Sequence, residues 1–285
     1  MAVFRRQCRL ILVGALALTQ FSCVNMIGSM AADTLTASIV NQSDPELIES
    51  GLPAYLLLVD GFIYQSPDSA GLLAAGTKIH ALYGSSFSTE PEAALRFSLK
   101  ARDYGRRSLC SVYETACFWD SLPYDEFQAA LETVKSKHAG LLYAYALGWL
   151  SHLDATSTGM GAAADLPWVE AAMERVLVLD ETHENGGVHT WLGVIKSLHP
   201  PALGGEPDIA LAHFERSLEL SSGRDLSVKV EFARRYGRLM YDQELHDRLL
   251  REVLAAPTEA DGFTLFNVLA KKDAEALLAT SSEYF

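Results

Sequence analysis

The stretch between Gly186 and Gly223 constrains the fold more than any other, because it predicts two helices joined by a tight elbow. Apolar residues in its first half recur at the spacing of one helix face, namely Val188, Trp191, Leu192 and Ile195. Helix-breaking residues then interrupt the pattern at Pro200, Pro201, Gly204 and Gly205. A second helix begins near Pro207, with an apolar stripe of Leu211, Phe214 and Leu218. This stretch is therefore predicted to form an antiparallel helical hairpin with one apolar side.

The same hairpin carries part of the tetratricopeptide (TPR) pattern, which describes a repeated two-helix unit. Leu192–Gly193 lies in the first helix, and Ala210 precedes Phe214 by one helical turn in the second. The small residues would let the two helices approach closely, while Phe214 would fill the gap between neighbouring hairpins. The match is partial, because His189 and Lys196 stand where the consensus has Trp and Tyr, and the elbow is longer than in the consensus repeat.

Comparison of the sequence with itself extends this pattern to three degenerate copies. Val169-x3-Met173 precedes Ala210-x3-Phe214 by 41 residues, and Ala93-x3-Phe97 is a third match. Several such hairpins are expected to stack, since one hairpin cannot bury its apolar face alone. We predict an all-α fold in which a TPR-like array of hairpins is curled into a compact solenoid. Helices are expected over residues 45–64, 68–84, 91–105, 123–136, 138–153, 167–180, 187–198, 207–221, 225–239, 242–255, 259–269 and 271–279.

The charge of the chain limits its partners. A net charge of −13 over 285 residues argues against binding to nucleic acid or to an anionic membrane surface, because either would require a basic face. The sequence also contains no Cys/His zinc spacing, no phosphate-binding loop and no dinucleotide-binding glycine motif. We therefore expect no nucleic-acid partner, no metal and no cofactor.

The amino terminus has the pattern of an export signal. Three arginines precede the apolar run Leu10–Phe21, which is shorter than the roughly 20 residues that a membrane span needs. The run is followed by Ser22 and Cys23, as in a bacterial lipobox, although Gln20 stands where that motif usually has leucine. This pattern predicts lipidation of Cys23. The alternative is an ordinary signal peptide followed by an incidental cysteine.

The expected organisation is a lipoprotein signal peptide over residues 1–22, a lipidated amino terminus and tether over residues 23–44, and an all-helical TPR-like domain over residues 45–285. Val24, which follows the predicted lipidation site, provides no signal for retention in the inner membrane. We therefore expect a lipid-anchored protein of the cell envelope that faces the periplasm from the outer membrane.

Two further cysteines, Cys110 and Cys117, leave two alternatives open. On one continuous helix, residues seven apart have Cα atoms about 10 Å apart, which is too far for a disulfide. A bridge would require a break in the helix between them. Two buried thiols and one local disulfide are both compatible with the sequence of an exported protein.

The predicted helix over 138–153 is unusual, because residues 139–150 carry no charge on any face. Such a helix is expected to be surrounded by protein. Its aromatic residues Tyr143, Tyr145 and Trp149 have two interpretations. They form part of the core, as aromatic residues commonly do, or they line an apolar ligand cavity or pore together with His189 and Trp191 of the next hairpin.

Several segments of the chain carry a family likeness. In the carboxyl-terminal third these are residues 203–205 (LGG), 210–218 (ALAHFERSL), 232–236 (FARRY), 249–254 (LLREVL) and 265–278 (LFNVLAKKDAEALL). Earlier segments with a similar likeness are residues 81–84 with Phe87, and residues 94–97. With these residues the chain resembles the TatT family of TRAP-transporter-associated lipoproteins.

The resemblance implies a non-enzymatic lipoprotein with TPR-like units that assembles as a homotrimer, each protomer being perforated by a pore. It also implies a partner, the periplasmic solute-binding protein of a TRAP-type transporter, and a role in the uptake of a small hydrophobic or organic-acid ligand. The alternative is a TPR scaffold lipoprotein that assembles envelope proteins and binds no small molecule.

An enzymatic role is not expected from the motifs. The stretch around His183 and Glu184 resembles the start of a His-Glu-x-x-His zinc site, but Gly187 occupies the position of the second histidine. His189 lies too far along the chain to replace it. No Gly-x-Ser-x-Gly nucleophile motif occurs.

Overall fold

The computed structural model describes residue 34 and residues 36–156 and 160–285, which form helices with no strand among them. The α-helices are α1 (Pro45–Gln65), α2 (Ala70–Ser86), α3 (Pro91–Cys110), α4 (Tyr124–Leu131), α5 (Ala139–Ala155), α6 (Met160–Leu179), α7 (Gly187–Lys196), α8 (Pro207–Leu220), α9 (Leu226–Glu231), α10 (Gln243–Ala255), α11 (Thr264–Ala279) and α12 (Ser281–Tyr284). Short 3₁₀ segments are Glu114–Ser121, Ser136–His138, His183–Gly186 and Pro201–Leu203, and a π-helical segment is Phe232–Gly237. The all-α prediction is confirmed; the predicted signal peptide and Cys23 lie outside the described residues.

The predicted helix over 123–136 is wrong at its end, because α4 stops at Leu131. Just beyond it, the Thr133 hydroxyl donates a hydrogen bond to the carbonyl of Ala130. Such local side-chain bonds offer the backbone an alternative to the helix. The guanidinium of Arg175, on α6, donates to two carbonyl groups of the turn that follows. The chain therefore leaves the helix early and is tied to α6.

The last two predicted helices, over 259–269 and 271–279, form the single helix α11. No helix-breaking residue separates them, so the backbone continues through Ala270. The chain before α11 is a turn that contains Gly262 with φ +82°, a left-handed conformation that glycine adopts readily. The predicted helix over 167–180 begins too late, because α6 begins at Met160. Pro167 therefore lies inside the helix rather than in its first turn.

The two cysteines form a disulfide bond. Helix α3 ends at Cys110, and the chain turns back through the segment Glu114–Ser121, so that the two Cα atoms lie 4.8 Å apart. The break in the helix decides between the alternatives that the sequence left open. The bridge ties a segment with the exposed Phe118 to the end of α3.

Helix α5 is surrounded by α2, α3 and α6, as its uncharged sequence predicts. Its contact with α3 is made by backbone rather than by long side chains. A Cβ atom added to Gly148 would lie 2.5 Å from the carbonyl oxygen of Ala101, and one added to Gly105 would lie 2.6 Å from that of Ala144. These two glycines face each other's helix and fix a short distance between the axes.

Phe214 fills the gap that the hairpin pattern predicts. Its side chain is fully buried, and its ring lies against Gly193 of α7, where an added Cβ would be 3.0 Å from the ring. On the other side the ring stacks on Phe232, with centroids 4.9 Å apart. Phe97, from the third copy, is only partly buried and contacts Tyr83 at 4.6 Å. The copies are therefore unequal in how much they contribute to the core.

The two ends of the array meet, which confirms the prediction of a curled and compact fold. Ile39 and Leu52 are buried in one cluster with Leu265 of α11. The backbone N–H of Gly262 donates a hydrogen bond of 2.7 Å to the side chain of Asn41. Residues 36–44, which belong to the predicted tether, thus pack against the helical domain.

Candidate functional site

The structure places the five predicted ligand-lining residues in three separate locations. On helix α5, Tyr143 and Tyr145 are two residues apart, which rotates their side chains by about 200° and directs them to opposite faces. Trp149 lies on the face of Tyr145, with ring centroids 5.7 Å apart. On α7, His189 and Trp191 diverge in the same way. Their ligand-lining role stays a prediction.

The first location joins Tyr143 and Trp191. The indole N–H of Trp191 donates a hydrogen bond of 3.2 Å to the Tyr143 hydroxyl, whose ring lies 5.0 Å from that of His183. Burial, and then the negative charge of Glu184, raise the pKa of Tyr143, so the phenol is neutral. Glu184 itself forms an ion pair with Lys78 of α2. This location links the two halves of the chain.

The second location contains Tyr145 and Trp149 within the largest core cluster. The indole N–H of Trp149 donates to the Asp165 carboxylate at 3.1 Å, and the Arg102 guanidinium lies 5.0 Å above its ring. The Tyr145 hydroxyl is buried and has no hydrogen-bond partner among the described residues. A buried hydroxyl of this kind loses hydration without compensation.

The third location is a polar cluster around His189. Its Nδ1 lies 2.8 Å from Nδ1 of His213, so one ring donates and the other accepts, and its Nε2 lies 3.3 Å from Glu181. Burial, with the charges of His189 and Lys196, lowers the pKa of His213 to about 4. Hydrogen bonds from Arg216 lower the pKa of Glu181 to about 2. No group of three or more potential ligands in the described part of the chain could hold a metal ion.

A groove of about 680 Å³ lies elsewhere, between α8, the π-helical segment and α10. We call it the carboxyl-terminal groove. Its apolar lining is formed by Leu211, Leu218, Phe232, Tyr236, Leu245 and Leu249. Its charged lining is formed by Glu215, Asp242, Glu244 and Glu252, with Lys229 and Arg248. None of the five residues predicted from the sequence contributes to it.

The π-helical segment places the aromatic residues of this groove. The wider turn of Phe232–Gly237 directs Phe232 and Tyr236 to one side, where their rings contact at 5.4 Å. At its end Gly237 allows α10 to approach, since an added Cβ would lie 3.3 Å from the His246 side chain. Single π-helical turns within helices are frequent at functional sites. Helical periodicity gave no signal for this turn.

The rim of the groove is acidic. Lys229 forms an ion pair of 2.7 Å with Glu252, which neutralises one of the two basic side chains. Burial, and then the negative charges of Asp208, Asp242 and Glu215, raise the pKa of Tyr236. The groove therefore offers an apolar surface with a negative border, which suits a protein partner with exposed apolar residues and basic neighbours.

A known family covers most of the chain. The family model described as TRAP transporter T-component matches residues 41–285, which include all of the helices α1 to α12. No curated protein matches the chain. Because the family model covers most of the chain, the protein belongs to the TAtT family, the T-components of TRAP transporters.

Proposed function

We propose that this T-component acts without catalysis, as a lipid-anchored partner of the periplasmic solute-binding protein of its TRAP system, and that the carboxyl-terminal groove is the docking surface. The observation that supports this most is the identity of the lining. Seven residues that line the groove also belong to the segments through which the sequence resembles the family. They are Leu211, Glu215, Leu218, Phe232, Tyr236, Leu249 and Glu252.

The chemistry of the groove fits protein docking better than capture of a small molecule. It is partly open to solvent rather than enclosed, whereas small-molecule sites bury most of their ligand. Two aromatic residues, Phe232 and Tyr236, lie at its floor, and aromatic residues often dominate the binding energy of protein interfaces. The acidic rim would accelerate association with a basic surface and make it sensitive to salt.

The small hydrophobic or organic-acid ligand belongs to the same proposal, with a pore through each protomer of a homotrimer. The region of Tyr143, Tyr145, Trp149, His189 and Trp191 is its proposed path. The unpaired Tyr145 hydroxyl supports this assignment, because a ligand with a polar group would satisfy it. A TPR scaffold for envelope assembly is the alternative, and it predicts a stable protein complex without a ligand.

The docking test compares two leucine substitutions. Leu218→Arg places a charge in the groove, whereas Leu203→Arg is a control at a side chain that is already 71 % exposed. We expect Leu218→Arg to weaken association with the solute-binding protein of its TRAP system by at least about tenfold, because an apolar contact is replaced by a positive charge that would face the partner's basic residues. Sedimentation at several salt concentrations measures it. Equal affinities for both variants would contradict docking in the groove.

A second test concerns the ligand. Organic extraction of the purified complex followed by mass spectrometry is expected to recover a small molecule from the wild type and less from Trp149→Ala. Failure to recover a ligand, together with no association with the solute-binding protein, would favour the scaffold alternative.

The anchor is tested separately. Cys23→Ser is expected to move the protein from the membrane to the soluble fraction, since each buried CH₂ of an acyl chain contributes about 0.8 kcal/mol to membrane binding. Unchanged fractionation of this variant would contradict lipidation.

A further inference from the structure

Helix α1 has an apolar face that nothing in the described chain covers. Its projecting side chains are Leu47, Leu57, Leu58 and Tyr64, which are 55, 73, 42 and 87 % exposed. We call this face, with the small residues between them, the α1 outer strip. It extends over about 26 Å of the helix. At Gly51 and Gly61 an added Cβ would meet no atom within 4 Å.

Glu46 and Glu49 flank Leu47 at the start of the strip, and beyond them the outer strip is free of charge. After Glu49, the only charged residue of α1 is Asp60, and its carboxylate is turned toward the body. There it accepts hydrogen bonds from the Tyr104 hydroxyl at 2.7 Å and from His80 Nε2 at 3.0 Å. Lys100 forms an ion pair with the same carboxylate. A contiguous exposed apolar surface of this kind marks an interaction site.

The opposite face of α1 shows that the helix does not cross a membrane. It is long and apolar enough for a span by length and composition. However, its residues Ile48, Leu52, Leu56, Val59 and Ile63 are buried against the rest of the protein. A helix that is buried on one side and apolar on the other can lie on a bilayer but cannot pass through it.

We propose that the α1 outer strip lies against the bilayer surface and sets the orientation of the protein on its membrane. This inference rests on the proposed lipidation of Cys23. Thr36, where the continuous described chain begins, follows that cysteine by 13 positions, so this point lies within about 45 Å of the anchor. The helix that follows is α1, and tethering raises the effective concentration of its strip at the bilayer.

A bilayer suits this strip better than a second copy of the chain. A stable interface with a second copy would need at least about 1,000 Å² of buried area and a matching shape on the partner. A bilayer needs neither. Because the strip carries no charge beyond Glu49, we expect the contact to persist at high salt.

The test places one fluorescent probe at two matched positions of the full, lipidated chain. Leu57→Cys lies on the strip, and Val178→Cys on α6 is the control, with exposures of 73 and 74 %. The native cysteines do not react with the dye, because Cys110 and Cys117 are bridged and the others are removed or acylated. Wild type treated with the same dye verifies this. Each variant is labelled with a polarity-sensitive dye and reconstituted in phosphatidylcholine vesicles that contain a doxyl-labelled lipid.

We expect the lipid quencher to act several-fold more strongly on the probe at position 57 than on the probe at position 178. Equal quenching in floated vesicles would overturn the inference while leaving the anchor in place. The probe at position 57 could instead become shielded from water as protein density increases, with no effect of the lipid quencher. That result would assign the strip to a second copy. If the wild type does not float with vesicles, both the anchor and the strip contact are refuted, whereas docking of the solute-binding protein is measured independently.

Discussion

The amino-terminal and carboxyl-terminal halves of this protein use different means to pack helices. Helices α3 and α5 meet backbone to backbone through Gly105 and Gly148, which leaves no space between them. Helix α8 instead meets its neighbours through the stacked rings of Phe214 and Phe232. Large side chains hold helices further apart, and the carboxyl-terminal groove, which Phe232 lines, remains open beside them.

The difference suggests a division of roles between the halves. Small residues specify one close arrangement that tolerates no added volume. Aromatic contacts leave the helices further apart, and Phe232 and Tyr236, which line the groove, are the rings that a partner would reach. The closed half would then act as a rigid support, and the open half would carry the partner site. Substitutions that affect one kind of packing but not the other test this division.

The largest effect is expected from Phe214→Ala. Removal of a fully buried ring leaves a cavity in the open half and should lower the free energy of unfolding by on the order of 3–5 kcal/mol. Phe97→Ala, at the corresponding position of the closed half, should cost less than about 3 kcal/mol because its ring is only partly buried. Chemical denaturation measures both. Equal losses would show that the copies contribute alike.

A smaller loss is expected from Gly148→Ala, on the order of 1–3 kcal/mol, because the new methyl group would lie 2.5 Å from a carbonyl oxygen of α3. Gly61→Ala on α1 is the control, since its methyl group would meet nothing within 4 Å. The control should be neutral or stabilise the helix by about 0.5–1 kcal/mol. Similar stabilities for the two variants would contradict the backbone contact between α3 and α5.

Acid should destabilise the protein through His213. Its pKa is about 4 in the folded state and near 6.5 when unfolded, so between these values the unfolded chain binds the additional proton and stability falls as pH falls. With allowance for partial exposure, we expect a loss of about 1–2 kcal/mol between pH 7 and pH 5. His213→Gln should reduce this loss. Melting curves at both pH values measure it, and an unchanged pH dependence would contradict the assignment.

How much the sequence could predict depends on the range of the interactions involved. The hairpin of α7 and α8, the burial of α5 and the role of Phe214 follow from local periodicity, and all three predictions are confirmed. The carboxyl-terminal groove requires a π-helical turn, which no periodic pattern indicates, and residues more than 20 positions apart along the chain. The two-residue spacing of Tyr143 and Tyr145 already places their side chains on opposite faces of α5. It does not indicate which helices pack against each face.

The smallest effect concerns the ion pair of Lys78 and Glu184, which connects the two halves. Both side chains are more than a third exposed, so the pair should contribute at most about 1 kcal/mol. Glu184 also has φ +52°, a left-handed conformation that costs a residue other than glycine about 1–2 kcal/mol. Glu184→Ala should therefore lose the pair and keep the strain, whereas Glu184→Gly should lose the pair and relieve the strain.

We therefore expect Glu184→Ala to be less stable than the wild type by at most about 1 kcal/mol, and Glu184→Gly to be equal to it or slightly more stable. Lys78→Met, which removes the pair from α2 without touching the turn, should match Glu184→Ala. If Lys78→Met costs much more than Glu184→Ala, then Lys78 supports the contact between the halves through its position over the Tyr143 ring, 5.8 Å from the ring centre, rather than through the carboxylate. The double variant Lys78→Met/Glu184→Ala separates these two contributions, because only the ion pair requires both side chains.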